Sequence, residues 1–124
     1  MPSFLARLAG LFGGSEPTGM APADFVSERA PRAPVLDVRT PREYASGHLA
    51  GSLNVDVTAS DFAGRVDELA ADGTIRRDAP VYLYCRSGSR SGKAVRILRE
   101  KGFAEAWNVG GLRALRAAGA ELGA

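Results

Sequence analysis

Apolar residues change their spacing several times along this chain, and each change predicts an element. In "MPSFLARLAGLF" the residues Phe4, Leu5, Leu8, Leu11 and Phe12 recur at helical spacing on one face. "GGSEPTG", Gly13 to Gly19, follows and reads as a flexible linker. From Met20 onward helical and extended patterns alternate. "APADFVSERA" is a short helix, and "PVLDV" (Pro34 to Val38) is a compact, β-branched strand. "TPREY" opens a helix with Thr40 as N-cap, Pro41 at the first helical position and Glu43 three residues after the cap, the arrangement of a capping box. "SLNVD" is a second strand, and "SDFAGRVDEL" a helix capped by Ser60 with Phe62, Val66 and Leu69 on one face. "PVYLYC" is apolar on both faces, as central parallel strands are. "SGKAVRILREKG" is a helix starting near Ser91 and ended by Gly102; "AEAWNV" is the last strand and "LRALRAAG" the last helix.

Strands alternating with helices predict an α/β fold with a mostly parallel sheet. The reading divides the chain into an amphipathic segment with linker at 1–19 and one domain at 20–124. At 124 residues, a single domain buries roughly two-thirds of the surface its unfolded chain exposes. The apolar face of residues 1–12 needs a cover, and with Arg7 as its single cation it suits a protein partner or self-association better than a lipid surface. Arg7 also interrupts any secretory apolar core, and no stretch approaches a membrane span, so the expected location is cytoplasmic.

Composition narrows the chemistry. The formal net charge is +2, which gives no reason to expect nucleic acid as a partner. Lys93 and Lys101 are the only lysines among sixteen Lys and Arg, and the arginine excess is compatible with oxyanion recognition. One cysteine excludes an internal disulfide, a Cys-x-x-Cys pair and a cysteine-rich zinc site. His48 is the sole histidine, so no histidine cluster holds a metal, and the ordinary role of such a residue is structural. Neither metal nor cofactor is expected.

The candidate chemistry gathers at Cys85, the last residue of the central strand, which Arg86-Ser87-Gly88-Ser89-Arg90 follow. Active sites of open α/β sheets lie beyond the carboxyl ends of the strands. A tight loop with a glycine, leading into a helix N-terminus, turns backbone N–H groups toward its centre, and such surroundings lower a cysteine's pKa. Arg86 and Arg90 add positive charge and, if they converge, hold a small dianion against the thiolate. The competing account is a buried filler thiol, which predicts sulfur in apolar surroundings without polar contacts. A nucleotide-binding P-loop fails: three residues, not four, separate Gly88 from Gly92-Lys93, and Ala94 stands where a magnesium-binding hydroxyl is needed. A cysteine phosphatase needs five residues between Cys and Arg; four separate Cys85 from Arg90, and the smaller cradle favours sulfur transfer.

These residues resemble the single-domain rhodaneses, a family of sulfurtransferases. "VLDVRTPREYASGHLAGSLNV" (Val35 to Val55) resembles the family's opening signature, "VYLYCRSGSRS" its active-site loop, and "GFAEAWNVGGL" the glycine pair after its last strand. The resemblance implies an α/β domain with a mostly parallel, five-stranded central sheet flanked by helices. It also implies a Cys85 nucleophile that cycles through a persulfide, and loop residues Arg86, Ser87, Gly88, Ser89 and Arg90 that hold the transferred sulfur and the donor's oxyanion. Asp37, Arg39, Glu43 and His48 match signature positions that are largely structural in the family, and Arg39 is expected to pair with Glu43. Where the family often carries a tryptophan after the glycine pair, this chain has Leu112-Arg113-Ala114-Leu115. The function so implied moves sulfur from a small anionic donor such as thiosulfate to a thiol or cyanide. The alternative is a persulfide carrier that serves a dedicated protein partner through residues 1–12.

Overall fold

The apolar run around Leu83 becomes the centre of the sheet. The computed structural model describes residues 18–29 and 32–123. Within them, α1 (Pro22–Glu28), β1 (Val35–Asp37), α2 (Pro41–Ala45), β2 (His48–Leu49), β3 (Leu53–Asn54), α3 (Phe62–Ala71), β4 (Val81–Cys85), α4 (Ser89–Glu100), β5 (Ala106–Gly111), α5 (Leu112–Ala117) and β6 (Leu122–Gly123) follow one another. The main sheet has the order β3-β1-β4-β5, and every neighbouring pair is parallel. All five residues of β4 are buried. Its alternating side chains feed two cores. Leu83 and Cys85 join Leu36, Val66, Val95 and Leu98 beneath α3 and α4. Tyr82 and Tyr84 join Phe25, Leu49, Trp107 and Leu115 beneath α1 and α5. A strand buried on both faces is what its unbroken apolar sequence requires.

Several boundaries differ from those expected. The sheet has four strands rather than five among the described residues. A further parallel edge is reduced to one bridge from Gly19 to Asn108, held by Met20 N–H to Asn108 O and Asn108 N–H to Thr18 O at 2.8 Å each. Thr18 and Gly19, assigned to the linker, therefore lie along β5. The amphipathic segment at 1–12 and the linker to residue 17 lie outside the described residues. Ser60 does not cap α3: the cap position is Asp61, without a side-chain bond. The short antiparallel pair β2-β6 was not expected either, because two residues are too few to show a period.

The capping box at α2 forms: the Glu43 N–H donates to Thr40 Oγ1 at 3.3 Å, and the Thr40 N–H donates to Glu43 Oε1 at 3.1 Å. Gly102, with φ of +99°, follows the last residues of α4 in the left-handed region that favours glycine. No helix of the described residues is long and apolar enough to cross a membrane.

Candidate active site

The loop after β4 is tighter than its sequence suggests. Helix α4 begins at Ser89, two residues before the expected start, because Gly88 takes φ of +101° and turns the chain directly into the helix. Its first intrahelical bond runs from Gly92 N–H to Gly88 O, so the preceding amides of the turn remain available to a ligand or a side chain.

Cys85 receives them. The residue is only 1% exposed and packs into the core beneath α4. Its sulfur nevertheless has polar partners: Gly88 N–H donates to Sγ at 2.9 Å, and the Ser91 hydroxyl, whose one proton Sγ shares with Asn108 Oδ1, lies 3.3 Å away. Burial alone pushes the thiol pKa up. Hydrogen bonds from the Ser91 hydroxyl and from the amides of Ser91, Ser87 and Gly88 outweigh it, and the thiol lies below its ordinary value. The filler account predicted sulfur without such contacts.

The far wall of the site comes from β5. Pairing of β4 with β5 shifts register between Leu83, opposite Asn108, and Cys85, opposite Gly111. Three steps on β5 match two on β4, a bulge that bends the strand end toward the loop. The bulge brings Asn108 under the loop, where Nδ2–H donates to Gly88 O at 2.9 Å and Oδ1 accepts from the Ser91 hydroxyl at 2.7 Å and from Gly110 N–H at 3.0 Å. It also presses Gly111 against the loop: a Cβ there would lie 2.3 Å from Arg86 O. Asn108 and Ser91 escaped the sequence reading. A lone asparagine within the otherwise apolar and glycine run from Ala106 to Gly111 was the available signal for the first.

The charged residues pair differently from expectation. Arg39 does not pair with Glu43. It closes on Asp37, two residues back along the chain, with Nε 3.0 Å from Oδ1 and Nη2 2.7 Å from Oδ2. Asp37 is fully buried and Arg39 is 6% exposed. The carboxylate also accepts the Tyr84 hydroxyl at 2.6 Å, and Arg39 reaches Gly47 O. Burial and the Asp37 bond push the Tyr84 phenol up to about 12, so it remains a donor at neutral pH. Glu43 instead takes Arg90 in a bidentate pair at 2.6 and 2.9 Å. One carboxylate thus completes the capping box and fixes the loop's second arginine, joining α2 to α4. Arg90 is engaged there rather than converging freely with Arg86, and its charge acts on Sγ from beyond contact. Arg86, Ser87 and Ser89 are exposed around the loop. His48 is placed elsewhere: its ring stacks on Tyr44 at 3.6 Å and Nδ1 lies 2.9 Å from Tyr44 O.

A soft nucleophile in a nest of amides, at the carboxyl end of a central parallel strand, suits attack on a sulfur or oxyanion-bearing substrate. The rhodanese-like domain model matches residues 23–118. The chain belongs to the rhodanese-like family. It is 40% identical over 80 residues to the uncharacterized protein YqhL of Bacillus subtilis (strain 168), covering 64% of this chain and 57% of that protein. It is 31% identical over 98 residues to the thiosulfate sulfurtransferase GlpE of Pseudomonas entomophila (strain L48), covering 78% and 82%. The crystal structure of a rhodanese-related protein from Thermoplasma volcanium superposes with a TM-score of 0.64 at 28% identity, covering 85% of this chain and 96% of that one. Membership in a family with relatives named thiosulfate sulfurtransferase makes this rhodanese-like chain a member of a sulfurtransferase family.

Proposed function

We propose that the protein is a thiosulfate sulfurtransferase that works through a persulfide on Cys85. The observation that carries the reading is the hydrogen bond that Gly88 N–H donates to Sγ at 2.9 Å, within a turn whose N–H groups favour an anion. The Cys85 thiolate attacks the outer sulfur of thiosulfate. The bond to the inner sulfur breaks with its electron pair on sulfite, which leaves, and the outer sulfur remains on Sγ. An acceptor thiolate or cyanide then takes that sulfur and returns the thiolate. The loop field keeps Cys85 ionised, so no general base is needed, and His48 has no part in the step. Arg86 and the loop amides of Ser87, Gly88 and Ser89 receive the donor's oxyanion. Arg90 holds the loop through Glu43, and Asp37 and Arg39 brace the strand beside it.

Intact mass after incubation with thiosulfate tests the reading. The expected gain is one sulfur atom, removed by cyanide and absent in Cys85→Ser. A fully active serine variant, or a wild-type protein that gains no sulfur, refutes it.

A further inference from the structure

Behind the candidate nucleophile a single hydroxyl proton lies between two acceptors. Ser91 Oγ is 3.3 Å from Cys85 Sγ and 2.7 Å from Asn108 Oδ1. Resting on the sulfur-transfer reading above, we infer that Asn108 is a positioning residue for that reaction. Its amide oxygen holds the Ser91 proton while Sγ is uncharged and yields it whenever negative charge returns to Sγ.

Three acceptors surround the hydroxyl, and the contest narrows to two. Gly88 O, 3.2 Å away, already accepts from Asn108 Nδ2 at 2.9 Å and from Gly92 N–H at 3.0 Å, which occupies both its lone pairs. Asn108 cannot turn over, because Gly88 O needs a donor at one end of the amide and Gly110 N–H an acceptor at the other. Ser91 is fully buried, so water does not replace either partner. Gly110 N–H stays on Oδ1 at 3.0 Å when the hydroxyl turns away, and no buried acceptor is stranded.

Charge decides which acceptor wins. Neutral sulfur is a weak acceptor, so in the thiol and in the persulfide the proton lies toward Oδ1. A thiolate is a charged acceptor, and charge-assisted hydrogen bonds are the stronger, so there the proton turns to Sγ. Arg90 of α4, paired with Glu43 of α2 and acted on by Asp56, favours the same ionised state, and Arg86 is exposed beside it. The core side of Cys85 is the apolar cluster of Val38, Leu83 and Val95. In the first transfer step the Sγ electron pair enters the new bond to the outer sulfur, and the proton returns to Asn108. In the second, that bond breaks with its pair on Sγ, and the hydroxyl turns back to meet it. The proton never leaves Ser91 Oγ. A donor that answers charge on Sγ makes it a better leaving group, since sulfur exchange is faster when the departing thiol is less basic.

The chain has no glutamine, so Asn54 and Asn108 are its only side-chain amides. Their resonances are followed by NMR in isotope-labelled full-length protein as pH rises through the alkylation inflection of Cys85. Asn54, bound to Asp37 O and Arg39 O, is the internal reference. The Asn108 signals should move with that inflection, stay fixed in Cys85→Ser and lose most of their movement in Ser91→Ala. Loading the thiolate with thiosulfate should return them to the thiol position. With Cys85 fully ionised, cyanide should unload Ser91→Ala about threefold more slowly than wild type, while loading is not slowed; that is the response of sulfur exchange to a tenfold rise in basicity. With loading normal, Asn108 signals that stay fixed in wild type, or that move as far in Ser91→Ala, overturn this inference alone. Equal slowing of both steps, the mark of a merely structural hydroxyl, does the same. Failure to gain the sulfur mass overturns the sulfur-transfer reading, and this inference with it.

Discussion

Replacing Gly111 by alanine should distort the loop that holds the candidate nucleophile, although the new side chain is one methyl group. The backbone there has φ of −109° and ψ of 155°, a conformation alanine adopts without strain, so the effect is purely one of space. The new Cβ would meet Arg86 O at 2.3 Å, and Arg86 C and Ser87 Cα at 3.0 Å. All three are backbone atoms and cannot rotate away. Carbon and carbonyl oxygen come no closer than about 3.3 Å, so the Arg86–Ser87 peptide must retreat by about 1 Å, or β5 must leave its register with β4. Overpacking of this kind costs about 1–3 kcal/mol, a fall of about 4–12 °C in melting temperature for a domain of this size. The displaced peptide precedes the Ser87 and Gly88 amides that hold Sγ, so the thiol pKa rises as well. The assay is a thermal melt paired with the pH dependence of iodoacetamide alkylation, for which Cys85 is the only target. Gly64→Ala is the control. That glycine lies inside α3, nothing lies within 4 Å of its new Cβ, and alanine there should stabilise by about 0.5–1 kcal/mol. A Gly111→Ala protein with unchanged melting temperature and an unchanged alkylation profile would refute the claim that this close approach shapes the site.

Removing the Ser91 hydroxyl should move the alkylation inflection of Cys85 to higher pH and slow alkylation at neutrality, since that hydroxyl is the largest of the contacts lowering the thiol; an unmoved inflection would assign the effect to the amides alone. Asp37→Asn should cost about 3–5 kcal/mol in urea titration, because it leaves the buried Arg39 guanidinium without its counter-charge; a loss below about 1 kcal/mol would show that Arg39 finds other compensation. Glu43 is held down to about 2, first by its bond to Arg90, from an ordinary value of 4.5. A lowered carboxylate stabilises the fold above its unfolded value and loses that contribution as pH falls toward the folded one. Urea midpoints should therefore fall between pH 4.5 and 2 in the wild type and fall less steeply in Glu43→Gln; parallel curves would contradict the pairing.

The fold's order was readable because its signals are local. The unbroken apolar run of β4 marked a strand buried on both faces, and Thr40, Pro41 and Glu43 fixed the start of α2 within one turn. The loop glycine and the cysteine at the strand end were equally local. What escaped is what folding brings together from a distance. Asn108 meets Gly88 and Ser91 because β5 bulges by one residue, and no pattern within "AWNVGG" reports a register shift against another strand. The same holds for the ion pairs. The resemblance implied that Arg39 pairs with Glu43 and ties the first strand to the helix after it. Arg39, however, precedes α2, and its backbone N–H and guanidinium both close on Asp37.

That exchange of partners changes what the arginine-rich composition means. Read as a total, the excess points to anion recognition without saying where. In the structure Asp37 and Glu43 pair with Arg39 and Arg90 and make them braces for β1 and for the first turn of α4. Paired, Arg90 leaves the short-range contacts to the Gly88 amide, which the backbone fixes, and to the Ser91 hydroxyl. Preorganised amides cost no side-chain entropy when an anion arrives, whereas a free guanidinium does. The positive charge around Cys85 is thus of two kinds, backbone amides fixed at the sulfur and guanidinium groups held at a distance by their own carboxylates.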